Sequence, residues 1–157
     1  MFNNYIIIKG KEPNLQFTTL LQFDGGSVPN PGPSAGGAVM YETDRKTVIF
    51  EGGEYLDYAT NNQAEYTGLL CGLNYAIQLG IKNILIEGDS QLIIFQTIGK
   101  WKVNNEHLLL LNIQVKEAID KFDFVGIKHV YRNSNKYADR ITNEVLKSKK
   151  SYFLNMT

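Results

Sequence analysis

"LQFTTLLQFDGGSVPNPGPSAGGAVMYET", residues 15–43, is the stretch on which the architecture turns. Its opening, residues 15–24, alternates with Phe17, Thr19, Leu21 and Phe23 on one side, as a strand does. "GGSVPNPGPSAGG" is dense in Gly and Pro and is expected to form a loop. "GAVMYET" and the following "KTVIFEGGEYL" read as two more strands, with a turn near Thr43–Lys46. Connections this short leave no room for crossovers, so the three strands are expected to pair as an antiparallel meander.

Downstream the pattern changes to strand–helix alternation, which favours parallel additions. Residues 61–79 carry Ala64, Leu69, Leu70, Leu73, Ala76 and Ile77 at helical spacing, and Gly80 stands where a C-terminal cap belongs. Thr60 and Gln63 make a capping box at its start. "KNILIEGD" reads as a short buried strand ending at Asp89, "SQLIIFQTIG" as a short helix, and Leu108–Phe122 as a longer one. "FVGIKHVY" is a final strand, and a last helix starts near Asn135 with Ala138, Ile141, Val145 and Leu146 inward. The order β-β-β-α-β-α-α-β-α predicts an α/β fold: one mixed five-stranded sheet with helices packed on it. Residues 1–14 form an N-terminal extension, in which "YIII" is either an extra edge strand or a disordered arm. Residues 15–148 make the domain, and residues 149–157 a tail that looks frayed.

The 157 residues suffice for one real core, with apolar residues at 43% and charged residues at 20%. Formal net charge is zero, so no overall positive field draws the protein to a polyanion; any such site is a local patch or recruits cations. Cys71 is the only cysteine, which excludes an intrachain disulfide and suits a reducing compartment. No stretch reaches the length of a membrane span and the N-terminus lacks a secretory pattern, so a soluble intracellular protein is expected.

Four acidic residues stand at the ends of elements. Asp24 ends the first strand and Asp89 the fourth; if these are parallel neighbours, both emerge at the edge where α/β sheets bind ligands. Glu65 lies about one turn into the helix after strand three, and Asp139 in the first turn of the last helix. Each has an ordinary structural role open to it, as turn former, cap or complement to a helix dipole. Together, crowded carboxylates repel unless a cation lies between them. Magnesium, a hard cation that takes few protein ligands, is the natural choice, and two such ions about 4 Å apart suit phosphodiester hydrolysis.

"FDGGSVPNPGPSAGGAV", "TNNQAEYTGLLCGL", "IEGDSQLII" and "HVYRNSNKYADRITNEV" together resemble ribonuclease H of type 1, in the family's order and over residues 18 to about 147. The resemblance implies a ribonuclease H-like fold with sheet order 3-2-1-4-5 and helices on both faces. It also implies a metal-dependent endonuclease that cuts the RNA strand of RNA–DNA hybrids, leaving 3′-hydroxyl and 5′-phosphate ends. By motif, Asp24, Glu65, Asp89 and Asp139 would hold two magnesium ions, with manganese as a substitute: Asp24 bridging, Glu65 and Asp89 on the ion beside the attacking water, Asp139 on the other. Asn30 and Thr60 match positions that grip a phosphate of the DNA strand. Asn61, Asn62 and Gln63, beside Glu65, offer both donors and acceptors suited to reading 2′-hydroxyls, though capping and loop closure also account for part of Asn61.

Some features depart from many bacterial relatives. "HVYRNSNKYAD" lacks their histidine loop and resembles the plant, archaeal and actinobacterial branch, where an arginine lies near the site; Arg132 is the candidate here. His129 is expected to alternate toward solvent or core, and His107 to be an exposed helix-start residue. The basic protrusion is missing: "GKWKVNNEH" offers Lys100 and Lys102 around Trp101, which packs either beside the DNA strand or over the sheet edge. Hybrid affinity should be modest and strongly salt-dependent. The expected partner is an RNA–DNA hybrid and the expected state a monomer. The alternatives are a non-catalytic nucleic-acid-binding module on the same fold, or another nuclease or recombinase of the wider fold.

Overall fold

The computed structural model describes residues 5–10 and 16–157. Its elements run β1 (Ile6–Lys9), β2 (Thr19–Ser27), β3 (Gly32–Glu42), β4 (Val48–Ala59), α1 (Asn61–Gln78), β5 (Asn83–Gly88), α2 (Gln91–Thr97), α3 (Glu106–Ile119), β6 (Phe124–His129), a 3₁₀ turn (Arg132–Ser134), α4 (Lys136–Ser148) and β7 (Tyr152–Asn155). The sheet has seven strands in the order β1-β6-β5-β2-β3-β4-β7. Its inner five strands follow the expected order; the difference is one added strand at each edge. β2 pairs parallel with β5 and β5 parallel with β6, while β2–β3 and β3–β4 are antiparallel.

Both edges correct or settle an expectation. "YIII" is an edge strand, with Ile6 opposite Ile127 on β6; the rest of the 1–14 extension, residues 1–4 and 11–14, lies outside the described residues. The tail is not frayed. After α4 ends at Ser148, capped by Lys149 in a left-handed conformation with φ 56°, β7 pairs antiparallel with β4. Aromatic contacts hold it there: Phe153 stacks on Tyr75 at 5.4 Å, and the Tyr152 hydroxyl donates to Glu51 Oε2 at 2.8 Å.

Period-2 alternation packs both faces of the central strands, as in buried sheets. Leu21, Phe23, Met40 and Ile86 face α1, α2 and α3, whereas Leu20, Val39 and Leu85 face Ala138, Ile141 and Val145 of α4. Phe17 departs from its expected side. It precedes the first paired residue, and its ring stacks on Phe124 at 4.9 Å on the α4 face.

The expected Gly/Pro loop is largely strand. β2 continues to Ser27 and β3 resumes at Gly32, so only residues 28–31 turn. Glycine here serves close approach rather than looping. A Cβ on Gly25 would collide with the Ala64–Glu65 main chain, and one on Gly68 with the Asp24 carbonyl. Absent side chains therefore seat the start of α1 directly on β2, and carry Glu65 to Asp24.

Candidate metal centre and amide cleft

Asp24 lies on β2 opposite Gly37 of β3, and Asp89 follows β5, whose Gly88 aligns with Phe23. Parallel pairing thus delivers both aspartates to one edge, as the strand ends suggest. Glu65 comes from the first turns of α1, whose start is fixed by the capping box: Thr60 Oγ1 accepts from Gln63 N, and Gln63 Oε1 accepts from Thr60 N. Asp24, Glu65 and Asp89 present carboxylate oxygens all within 4.8 Å of one another. Asp139 stands slightly apart from this trio, in the first turn of α4, but lines the same cleft of about 480 Å³.

The electrostatics are strongly unfavourable for a metal-free site. Asp24 is only 7% exposed; burial first, then Asp89 and Asp139, push its carboxyl up to about 7, with the nearby Gly25 amide and Thr142 side chain acting the other way. Burial, followed by Asp24 and Asp89, raises Glu65 well above the usual carboxylate range. Glu65 Oε1 is buried with no hydrogen-bond partner. A buried carboxylate oxygen left this way carries an unmet desolvation cost, which a hard divalent cation would remove. The donor set fits magnesium: all oxygen, all carboxylate, and open to water on one side.

Arg132 sits on the 3₁₀ turn at the rim, with Nη2 3.9 Å from Asp139 Oδ1 and its side chain 83% exposed. His129, expected to face solvent or core, instead lines the cleft, with Nε2 3.2 Å from the Asp89 carbonyl oxygen. Register decides its direction: β5 and β6 run parallel, and His129 aligns with Gly88. His107 is exposed at the start of α3, as expected.

Asn30, Thr60, Asn61, Asn62 and Gln63 gather in a second cleft of about 320 Å³, joined by Asn105 from the cap of α3. Asn61 borders both clefts. Asn61 Oδ1 accepts from Ser27 N at 2.8 Å, and Asn30 Oδ1 from Asn61 N at 3.1 Å. With Gln63 Oε1 also bonded to the main chain, these amides keep their NH₂ groups as the donors to offer a ligand. Loop closure at Asn61, anticipated from the sequence, is thus present beside its place at the cleft.

The profile of the family described as "Reverse transcriptase-like" matches residues 22–145. The Mycobacterium tuberculosis "Bifunctional protein Rv2228c" is 39% identical over 127 residues, 81% of this chain but 35% of that protein, so the chain spans about a third of it. The solved N-terminal RNase H domain of Rv2228c superposes with a TM-score of 0.81 at 38% identity, covering 85% of this chain and 96% of that one. RNase H1 from Halobacterium salinarum gives 0.79 at 39% identity, covering 83% and 98%. LC11-RNase H1, solved in complex with an RNA/DNA hybrid, gives 0.78 at 26%, covering 83% and 98%. With the carboxylates gathered at one edge of the sheet and these structural likenesses covering more than four-fifths of the chain, the chain belongs to the type 1 ribonuclease H family.

Proposed function

We propose that this protein is a metal-dependent endonuclease that hydrolyses the RNA strand of RNA–DNA hybrids. The observation that carries the reading is the carboxylate trio, with Asp24 and Glu65 buried, Asp89 half-buried and Glu65 Oε1 lacking any partner. Asp24, Glu65, Asp89 and Asp139 would hold two magnesium ions, with manganese as substitute, which supply an activated water and neutralise charge on the leaving oxygen. The protein's own groups do the rest. Gly25 and Thr142 line the cleft beside the Asp24 carboxylate, with the Thr142 hydroxyl held by the Ala138 carbonyl at 3.0 Å. His129 steadies the Asp89 main chain through Nε2. Arg132, at the rim, supplies a guanidinium to a phosphate oxygen as the strand settles.

Substrate choice follows from the second cleft. The NH₂ groups of Asn61, Asn62 and Gln63 would donate to 2′-hydroxyl oxygens beside the scissile phosphate, while Asn30 and Thr60 border the path of the DNA strand. The hybrid held by LC11-RNase H1 supports this class of partner. No helix among the described residues is long and apolar enough to cross a membrane. A soluble, intracellular monomer is the state proposed.

A non-catalytic binding module is the weaker reading, because converging buried carboxylates repel a polyanion and serve no purpose without a cation. Product analysis tests the chemistry. A labelled hybrid should yield fragments with 3′-hydroxyl and 5′-phosphate ends; 3′-phosphate ends would contradict a water attack of this kind. Arg132→Ala should reduce turnover about tenfold, less than loss of a carboxylate, since it removes one exposed charge-assisted contact. Unchanged turnover would return Arg132 to an ordinary surface role.

A further inference from the structure

One polar network lies on the α4 face of the sheet, one register step behind the carboxylates. Glu87, two residues before Asp89, is 1% exposed. Arg45, from the β3–β4 turn, grips it with both terminal nitrogens, at 3.1 and 2.8 Å. Arg45 adopts φ 60°, a left-handed conformation uncommon for a residue with a Cβ. Gln22, two residues before Asp24 and opposite Glu87 on β2, donates to Glu87 Oε1 at 2.9 Å. The same Gln22 nitrogen donates to the Ser134 carbonyl at 3.1 Å, in the turn that carries Arg132. Directly beyond, Asn135 Nδ2 donates to the Phe23 carbonyl, and the Asn135 carbonyl accepts from Asp139 N.

Glu87 is buried while the Arg45 side chain is 41% exposed, and an apolar residue in place of the buried carboxylate would hold this part of the sheet at least as well. Two of the bonds, however, reach the segment that positions Arg132 and Asp139: Gln22 to the Ser134 carbonyl, and Asn135 to the Phe23 carbonyl. We infer that Gln22, braced by the Arg45–Glu87 pair, is a positioning residue. It sets the distance from β2 at which the 132–139 segment brings Asp139 to the Asp24–Glu65–Asp89 trio. The inference rests on the nuclease reading for its functional consequence but not for its mechanical one.

The test is Gln22→Met, which keeps length and volume and removes the donor, beside Ile84→Val, a mild core change on the opposite face. Three readouts apply: amide hydrogen exchange, calorimetric magnesium binding, and hybrid cleavage. Gln22→Met should speed exchange at Ser134, Asn135 and Asp139 about tenfold, the effect of losing one partly buried hydrogen bond. It should weaken magnesium binding several-fold and lower kcat about tenfold, with KM for the hybrid within about twofold. Ile84→Val should lose comparable thermal stability and change none of these. If Gln22→Met behaves like Ile84→Val, the positioning role is wrong. If exchange and magnesium binding respond while the parent never cuts a hybrid, the nuclease reading fails and the mechanical coupling stands.

Discussion

Asp24→Asn should abolish hybrid cleavage while making the metal-free protein more stable at neutral pH. Removing a carboxylate that anchors catalytic cations costs about a thousandfold or more in rate. Stability moves the other way. The Asp24 carboxyl is held up to about 7 in the fold, against 3.8 for the ordinary side chain. A carboxylate raised in this way favours folding below about pH 4, and that contribution is lost as pH climbs through the folded value. The shift corresponds to at most about 4 kcal/mol above pH 7, at about 1.36 kcal/mol per pH unit. The gain from Asp24→Asn should therefore be absent near pH 4, grow between pH 4 and 7, and level off above. Magnesium should act in the opposite direction and narrow that gap, because only the parent binds it well; about 2.7 kcal/mol accrues at a hundred times Kd. Thermal unfolding across pH, with chelator and with magnesium, reads both signs. A variant less stable than the parent at pH 7.5 in chelator would show that the carboxylates are not strained together.

Gly68→Ala should cost both stability and activity, although alanine is the better helix former. The propensity gain is about 1 kcal/mol. Against it, the new Cβ would meet the Asp24 carbonyl and the Gly37 main chain, which cannot rotate away as a side chain would. Overpacking of this kind costs about 1–3 kcal/mol or more, so the clash wins. Relief requires the start of α1 to lift from β2, carrying Glu65 away from Asp24. Cleavage should fall by at least about tenfold while secondary structure is retained. Urea unfolding and hybrid cleavage measure the two effects; a variant as stable and active as the parent would mean that this contact does not set Glu65.

Three of the acidic residues were legible because they stand at or just beyond element ends, where composition and position coincide. Asp89 follows β5 as expected, whereas Asp24, read as ending its strand, lies within β2, which runs on to Ser27; the pairing of the two strands follows from short connections and strand–helix alternation. Glu65 was placed by a capping box that the structure contains. His129 was not legible, because its direction depends on register between β5 and β6 rather than on its neighbours in sequence. The Gly-rich run was misread for a related reason. Glycine is the signature of turns, yet at Gly25 and Gly36 it admits a helix backbone against a strand, a contact invisible to local pattern. β7 escaped notice because four residues behind a cluster of lysines carry little periodicity; what orders them is Tyr75 and Glu51, far away in the chain. The Arg45–Glu87–Gln22 network was equally hidden, since a lone buried glutamate in an apolar run does not name its partner.

The central claim is that buried carboxylates at the sheet edge recruit magnesium to cut RNA paired with DNA. Its most direct test is cleavage of labelled RNA–DNA hybrid, double-stranded RNA and double-stranded DNA, each with magnesium and with chelator. The account predicts cutting of the RNA strand in the hybrid alone, dependent on magnesium and absent in Asp89→Asn. Cleavage confined to double-stranded DNA, or hybrid cleavage that survives in Asp89→Asn, would contradict it.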